Sequence, residues 1–213
     1  MMGERIMKWL FKTVTLHSNS KGFTLIELLI AMSLTSIMLA LAGYGVATIL
    51  HANRQSESEI SRRANLNRAL DFMADEIRMA KAIAVPATNA ISPPSCGTAT
   101  GVLDLTMPND THVIYYVHDV SNCSQLWTQP GTIRRIQGST DSLLVDALMA
   151  PTTLPAGCST APLSLRGASG FYACLNQNNN HVATLYLYGK LTDTTGRVTG
   201  VYPVSSEVSA RSY

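Results

Sequence analysis

The sequence predicts an α+β fold in which one long N-terminal α-helix packs on an antiparallel β-sheet head. An apolar segment near the N-terminus continues, without a break, into a segment whose apolar residues recur at helical spacing. After Pro86, short alternating segments separated by turn residues replace that pattern, as is typical of strands. A helix followed by meandering strands implies an antiparallel sheet that packs on the helix.

The composition fits one domain with an appendage. The chain has 213 residues, a formal net charge of +2 and only 14% charged residues. A charge balance so close to neutral gives no reason to expect a nucleic-acid binder. The low charge and the Ser/Thr-rich remainder favour an exported surface over a cytosolic enzyme.

Residues 23–50 form an apolar run of 28 residues in which Glu27 is the one charged side chain. As a helix, this run is long enough to cross a hydrocarbon core of about 30 Å. Residues 1–22 carry four basic side chains against one acidic side chain, namely Arg5, Lys8, Lys12 and Lys21 against Glu4. These charges predict that the leader stays in the cytoplasm and that the C-terminal part is translocated.

A secretory signal peptide would place its cleavage site after the apolar run, where only Ala52 fits loosely. A sharper motif, Lys-Gly-Phe-Thr-Leu-Ile-Glu over residues 21–27, precedes and opens the run. In this motif the chain resembles the type IV pilins, a family that includes the pseudopilins of type II secretion. The resemblance implies that a prepilin peptidase cuts between Gly22 and Phe23 and methylates Phe23. It also implies partners: other pilins in a helical filament and an inner-membrane assembly platform.

Glu27 needs a partner because an isolated carboxylate inside a bilayer costs about 2.5 kcal/mol or more. Cleavage would create an amine at Phe23, one helical turn away. We expect Glu27 to neutralise the Phe23 amine of a neighbouring subunit during assembly, a pairing that sets register more than it adds stability. The alternative is a glutamate tolerated at the membrane edge.

Residues 51–85 are predicted to form the amphipathic half of the same helix. Apolar residues alternate at gaps of four and three, at Leu66, Leu70, Met73, Ile77, Ala80 and Ala84. Pro86 limits further helix. The spanning part lacks the helix-breaking proline of most major pilins, and Gly43 and Gly45 are the positions where we expect local unwinding on assembly.

The head, residues 86–213, contains six predicted strands and one ambiguous segment. The strands are 102–107, 112–117, 132–137, 171–175, 182–191 and 198–204, the last two joined through a turn at 193–196. Residues 143–149 fit either a short helix or a strand, and residues 151–162 fit a loop. In 182–191, Leu185, Leu187 and Gly189 alternate with Tyr186 and Tyr188, which predicts one covered face.

Segments of the head resemble PilW-type minor pilins and J-type pseudopilins, at 68–80, 113–117, 133–135 and 205–211. The predicted function is therefore a minor pilin-like subunit that takes part in filament assembly or its priming. The localisation implied is the bacterial inner membrane, single-pass with an exported head, and then the filament. The alternatives are a type II secretion pseudopilin, a tip adhesin or DNA-uptake module, and a membrane-anchored exported enzyme.

Four cysteines, all after the apolar run, predict disulfides formed in an oxidising compartment. Of three possible connectivities, the sequential one, Cys96 with Cys123 and Cys158 with Cys174, closes the shortest loops and is favoured. Free buried thiols are the alternative. The cysteines lack the close spacing of a structural zinc site.

Other candidate chemistry is weak. His112, His118 and Cys123 share one region and could bind a metal together, but ordinary surface or partly buried histidines are the simpler interpretation. Arg134 and Arg135 could contact DNA phosphates, although two arginines are little evidence. No phosphate-binding loop or hydrolase motif is present, so no cofactor, metal or catalytic residue is predicted.

Overall fold

The computed structural model describes residues 22–87, 90–92, 95–124, 128–158, 160–193 and 195–211. By internal contacts the chain divides into two compact units, Met1–Ile49 and Leu50–Tyr213. The predicted segment boundaries at residues 22 and 50 stay predictions. Residues 1–21, which make up nearly all of the predicted leader, lie outside the described residues.

Helix α1 runs from Leu25 to Met79. Within the first unit its apolar side chains are exposed, as with Met38 at 72% and Tyr44 at 76%. Its serine and threonine hydroxyls donate to carbonyl oxygens of the preceding turn, from Ser33, Thr35, Ser36 and Thr48. A helix that satisfies its polar groups internally while exposing apolar side chains suits a hydrocarbon environment. By length and composition, α1 is able to cross a membrane.

The helix is continuous through Gly43 and Gly45, and neither glycine has a neighbour within contact distance of a Cβ. The predicted unwinding there concerns the assembled filament and stays a prediction.

In the second unit, the predicted apolar stripe is the buried face of α1. Leu66, Met73 and Ile77 are fully buried, and Leu70 is nearly so. The predicted extension of the helix to residue 85 is wrong. The Ala80 N–H bonds to the Ile77 carbonyl, and the next N–H, on Lys81, bonds to Thr106 in the sheet. The chain therefore leaves the helix to pair with a strand.

Within the described part of the head nine strands follow, and every pairing is antiparallel. Their bounds are β1 Ala82–Ala84, β2 Thr98–Thr106, β3 His112–Asp119, β4 Gly131–Gln137, β5 Thr140–Leu148, β6 Leu163–Ala168, β7 Phe171–Asn176, β8 Asn179–Thr192 and β9 Val198–Ser209. The order is β1-β2-β3-β4-β5-β8-β7-β6, with β9 on the other side of β8. The predicted fold class, a long apolar N-terminal helix packed on an antiparallel sheet, is confirmed.

All six predicted strands are present, and most are longer than predicted. The ambiguous segment at 143–149 lies mainly in β5, whose hairpin with β4 supplies the pairing that local sequence does not show. Strands β1 and β6 were not predicted. β1 has only three residues, and β6 carries Arg166 and Gly167 in a weakly apolar stretch.

The core lies between the buried stripe of α1 and the inner face of the sheet. Leu185 and Leu187 are fully buried, and their neighbours Tyr186 and Tyr188 are half-buried on the opposite face, as the alternation predicts. Gly189 continues the inner face. A Cβ there would lie 2.1 Å from Leu66 Cδ1, so the glycine permits close approach of helix and sheet.

Candidate processing and assembly site

The site begins with three residues that precede the helix: Gly22, Phe23 and Thr24. None of them has helical conformation, and Phe23 is 85% exposed. The peptide bond between Gly22 and Phe23 therefore lies just outside the helix.

Thr24 and Glu27 form a reciprocal cap at the start of α1. The Glu27 N–H bonds to the Thr24 carbonyl at 3.0 Å and lies 3.4 Å from its hydroxyl oxygen. In return, the Thr24 N–H and hydroxyl donate to Glu27 Oε2 at 3.2 and 3.1 Å. This is the capping-box arrangement, which satisfies backbone donors that the first turn leaves unpaired.

The cap gives Glu27 an intrachain role that the sequence reasoning did not assign. The signal was present in the sequence, as a Thr followed three residues later by Glu at the start of an apolar run. A carboxylate in the first turn also interacts favourably with the helix dipole. The predicted pairing of Glu27 with the Phe23 amine joins two subunits and stays a prediction.

The four cysteines form two disulfides. Cys96 pairs with Cys123, and Cys158 pairs with Cys174. This is the sequential connectivity with the shortest loops. The first bridge ties the segment before β2 to the segment after β3, and the second ties the loop after β5 to β7.

The predicted metal alternative does not assemble. Cys123 is consumed in its disulfide, His118 Nε2 lies 2.7 Å from the Cys96 carbonyl oxygen, and His112 pairs with Asp104 at 2.8 Å. His112 and His118 are six residues apart on β3, a separation of roughly 20 Å along a strand. Within the part of the chain that the structure describes, no cluster of three metal-ligating side chains occurs.

Arg134 and Arg135, the candidate DNA contacts, are both engaged by carboxylates. The Arg134 Nε lies 3.1 Å from Asp141 Oδ1, and Asp141 also accepts from the Tyr116 hydroxyl at 2.8 Å. Burial and the hydrogen bond to Asp141 raise the pKa of Tyr116 to about 12. Each guanidinium is thus paired with a carboxylate of the chain itself.

Arg135 belongs to a buried cluster that joins α1 to the sheet. Its Nη2 and Nε donate to the two carboxylate oxygens of Glu76, at 2.6 and 3.0 Å. The Tyr115 hydroxyl donates to the same carboxylate. Burial and the bond to Glu76 raise the pKa of Tyr115. The cluster is structural, and its partners are too distant in sequence for local patterns to reveal.

Comparison with family models gives a match over residues 17–43 to the prokaryotic N-terminal methylation motif. Residues 17–43 therefore match a prepilin-type methylation motif. The match contains Gly22, Phe23 and Glu27. It confirms the resemblance, predicted from the sequence, to the class III leader of type IV pilins and pseudopilins. Comparisons with curated proteins and with solved structures found no match. The motif supports a type IV pilin-like or pseudopilin-like precursor, and together with the apolar part of α1 it fits a membrane-anchored protein.

Proposed function

We propose that the chain is the precursor of a minor pilin-like subunit of a type IV pilus or a related filament. Prepilin peptidase cuts it between Gly22 and Phe23 and methylates Phe23. The mature subunit waits in the inner membrane with its head on the exported side, and an assembly platform then moves it into a filament of other pilins. The observation that carries this proposal is the methylation motif at the start of a helix able to cross a membrane.

The role is structural, with no catalytic residue assigned. A type II secretion pseudopilin is the second candidate, because the motif is common to both classes of precursor. The third alternative is an exported enzyme anchored by an uncleaved helix. Such a chain would keep the residues before Phe23, so processing at Gly22 would exclude it.

We assign Glu27 two successive tasks. In the single chain it caps the helix through Thr24. In the filament, its carboxylate turns to the methylated amine of Phe23 in a neighbouring subunit, because a charge in an apolar bundle needs an opposite charge. The cap bonds are exposed, so the exchange replaces weak contacts with a desolvated ion pair.

Substitutions separate these tasks. Glu27→Gln keeps an oxygen that caps the helix but removes the charge, whereas Glu27→Ala removes both. If the charge directs assembly, both variants are processed at Phe23, and both are lost from sheared filaments by about ten-fold or more, the equivalent of about 1.4 kcal/mol.

Glu57→Gln is the matched control, because it makes the same change at an exposed position further along α1. It should assemble like the unmodified chain. Normal incorporation of Glu27→Gln would refute the charge role and leave Glu27 as a helix cap alone.

A further inference from the structure

A polar cleft lies where the second half of α1 begins. Its volume is about 460 Å³, and it lies between the helix and the turn that follows β8. His51, Arg54, Gln55 and Ser58 line it from the helix, and Thr192 and Asp193 line it from the end of β8. Cation, amide and hydroxyl groups therefore face one another across a small opening.

The position of the cleft along the helix is informative, on the premise of the proposed membrane insertion. Twenty-eight residues from Phe23 to Leu50, at 1.5 Å each, span about 42 Å. A bilayer with both headgroup layers is about 40–45 Å thick. With Phe23 at the cytoplasmic surface, His51 and Arg54 therefore fall in the headgroup layer of the opposite leaflet.

Arg54 is the group in this cleft that attracts an anion. His51 and Arg54 are exposed and three residues apart, which places them on one side of the helix. None of the ion pairs formed among the described residues involves Arg54. A guanidinium that is not paired presents a planar fork of donors, which matches phosphate oxygens.

Asp193 is the one carboxylate in the cleft lining, and its charge is largely directed into its own turn. Its Oδ1 accepts from the Thr195 hydroxyl at 2.6 Å and from the N–H groups of Thr195 and Arg197 at 2.9 Å each. The Thr195 hydroxyl and these N–H groups lower the pKa of Asp193, so it remains ionised and weakens anion binding.

We propose that this cleft binds the phosphate of an anionic phospholipid headgroup in the exported-side leaflet, with Arg54 as its principal ligand. Gln55, Ser58 and Thr192 add neutral donors around the phosphate. A bound headgroup would hold the base of the second unit at the membrane surface while the subunit waits for assembly. Extraction into the filament would leave the lipid behind.

The test uses the full chain in a non-ionic detergent, titrated separately with phosphatidylglycerol and with phosphatidylcholine, with bound lipid counted by native mass spectrometry. We expect phosphatidylglycerol to bind about five-fold more tightly. Arg54→Gln should remove about five-fold of that affinity, since one basic residue near a lipid surface contributes about 1 kcal/mol.

Two further variants make the test specific. Arg68→Gln removes the same charge about 21 Å further along the helix and should leave the preference unchanged. Asp193→Asn keeps an oxygen acceptor for the turn and removes the opposing charge, so it should tighten phosphatidylglycerol binding about two- to five-fold. A purely structural role for these residues predicts no tightening.

Three outcomes would overturn the proposal: no preference for phosphatidylglycerol, an equal loss in Arg54→Gln and Arg68→Gln, or competition by soluble glycerol phosphate as effective as the lipid itself. The last would identify a free phosphate as the ligand. Resistance of the full chain to alkaline extraction from membranes tests insertion separately. If the chain resists alkaline extraction but shows no lipid preference, only this inference fails. If alkali extracts the chain from the membrane, the proposed function fails as well.

Discussion

The buried cluster of Glu76, Arg135 and Tyr115 offers the sharpest quantitative prediction about the fold. The Glu76 side chain is 10% exposed and that of Arg135 is 15% exposed, so neither charge is well solvated. Removing one partner of such a pair costs about 3–5 kcal/mol, because the other charge is left buried and unpaired. Glu76→Ala also strands the Tyr115 hydroxyl, a further cost on the order of 1 kcal/mol.

We therefore expect Glu76→Ala to lower the free energy of unfolding by about 4–6 kcal/mol, and Arg135→Met to lower it by about 3–5 kcal/mol. The double variant Glu76→Leu with Arg135→Met should cost far less than the sum, because no charge remains to be stranded. Adding Tyr115→Phe should bring the chain to within about 1 kcal/mol of the unmodified protein, since apolar replacement of a buried pair is often neutral.

The assay is urea denaturation of the full chain in a mild detergent, followed by near-ultraviolet circular dichroism. Arg78→Met is the matched control, because Arg78 pairs with Asp75 in an exposed position and should change stability by less than about 1 kcal/mol. Additive losses in the Glu76 and Arg135 variants, or a loss of less than about 1 kcal/mol for Glu76→Ala, would refute the argument that this pair is desolvated and coupled.

Two further predictions concern the head. Because the pKa of Tyr116 is raised to about 12 from a usual value of 10.0, the folded state holds its proton more tightly than the unfolded state. Its contribution to stability is therefore complete below pH 10 and is lost as the pH rises toward 12. Urea denaturation from pH 9 to 12 should show this decline in the free energy of unfolding. The decline should be smaller in Tyr116→Phe, which has no phenol to ionise. Replacing Cys158 and Cys174 by Ser opens a loop with a sequence separation of 16 and should lower the free energy of unfolding by about 3 kcal/mol. The same change at Cys96 and Cys123, with a sequence separation of 27, should lower the free energy of unfolding slightly more. Urea denaturation of both variants measures the two losses. A clearly larger loss for the Cys158 and Cys174 variant would contradict the loop-entropy reasoning.

Local sequence patterns predict much of this fold because its elements are long and regular. Apolar spacing identifies α1 as one helix, and alternation identifies the inner face of β8. The end of the helix is different. Residues 80–84 continue the apolar spacing, yet hydrogen bonds to β2 draw this segment into the sheet. Pairing with a strand that is distant in sequence cannot be predicted from the local residue pattern.

The candidate site divides in the same way. Gly22, Phe23 and Glu27 are recognisable because their signal is contiguous, and the Thr24 cap follows a known spacing. Glu76 and Arg135 are 59 residues apart, and nothing near either one identifies its partner. The polar cleft at His51 and Arg54 likewise depends on α1 meeting the end of β8, which only the folded chain brings together.

The N-terminus of the mature protein tests the central claim most directly. The chain is purified from membranes of cells with and without a prepilin peptidase, and its N-terminal peptide is analysed by tandem mass spectrometry. We predict a first residue of Phe23 carrying one methyl group when the peptidase is present, and an intact leader when it is absent. A chain that keeps the residues before Phe23 in both hosts, or that begins near Ala52 after ordinary signal cleavage, would contradict the account.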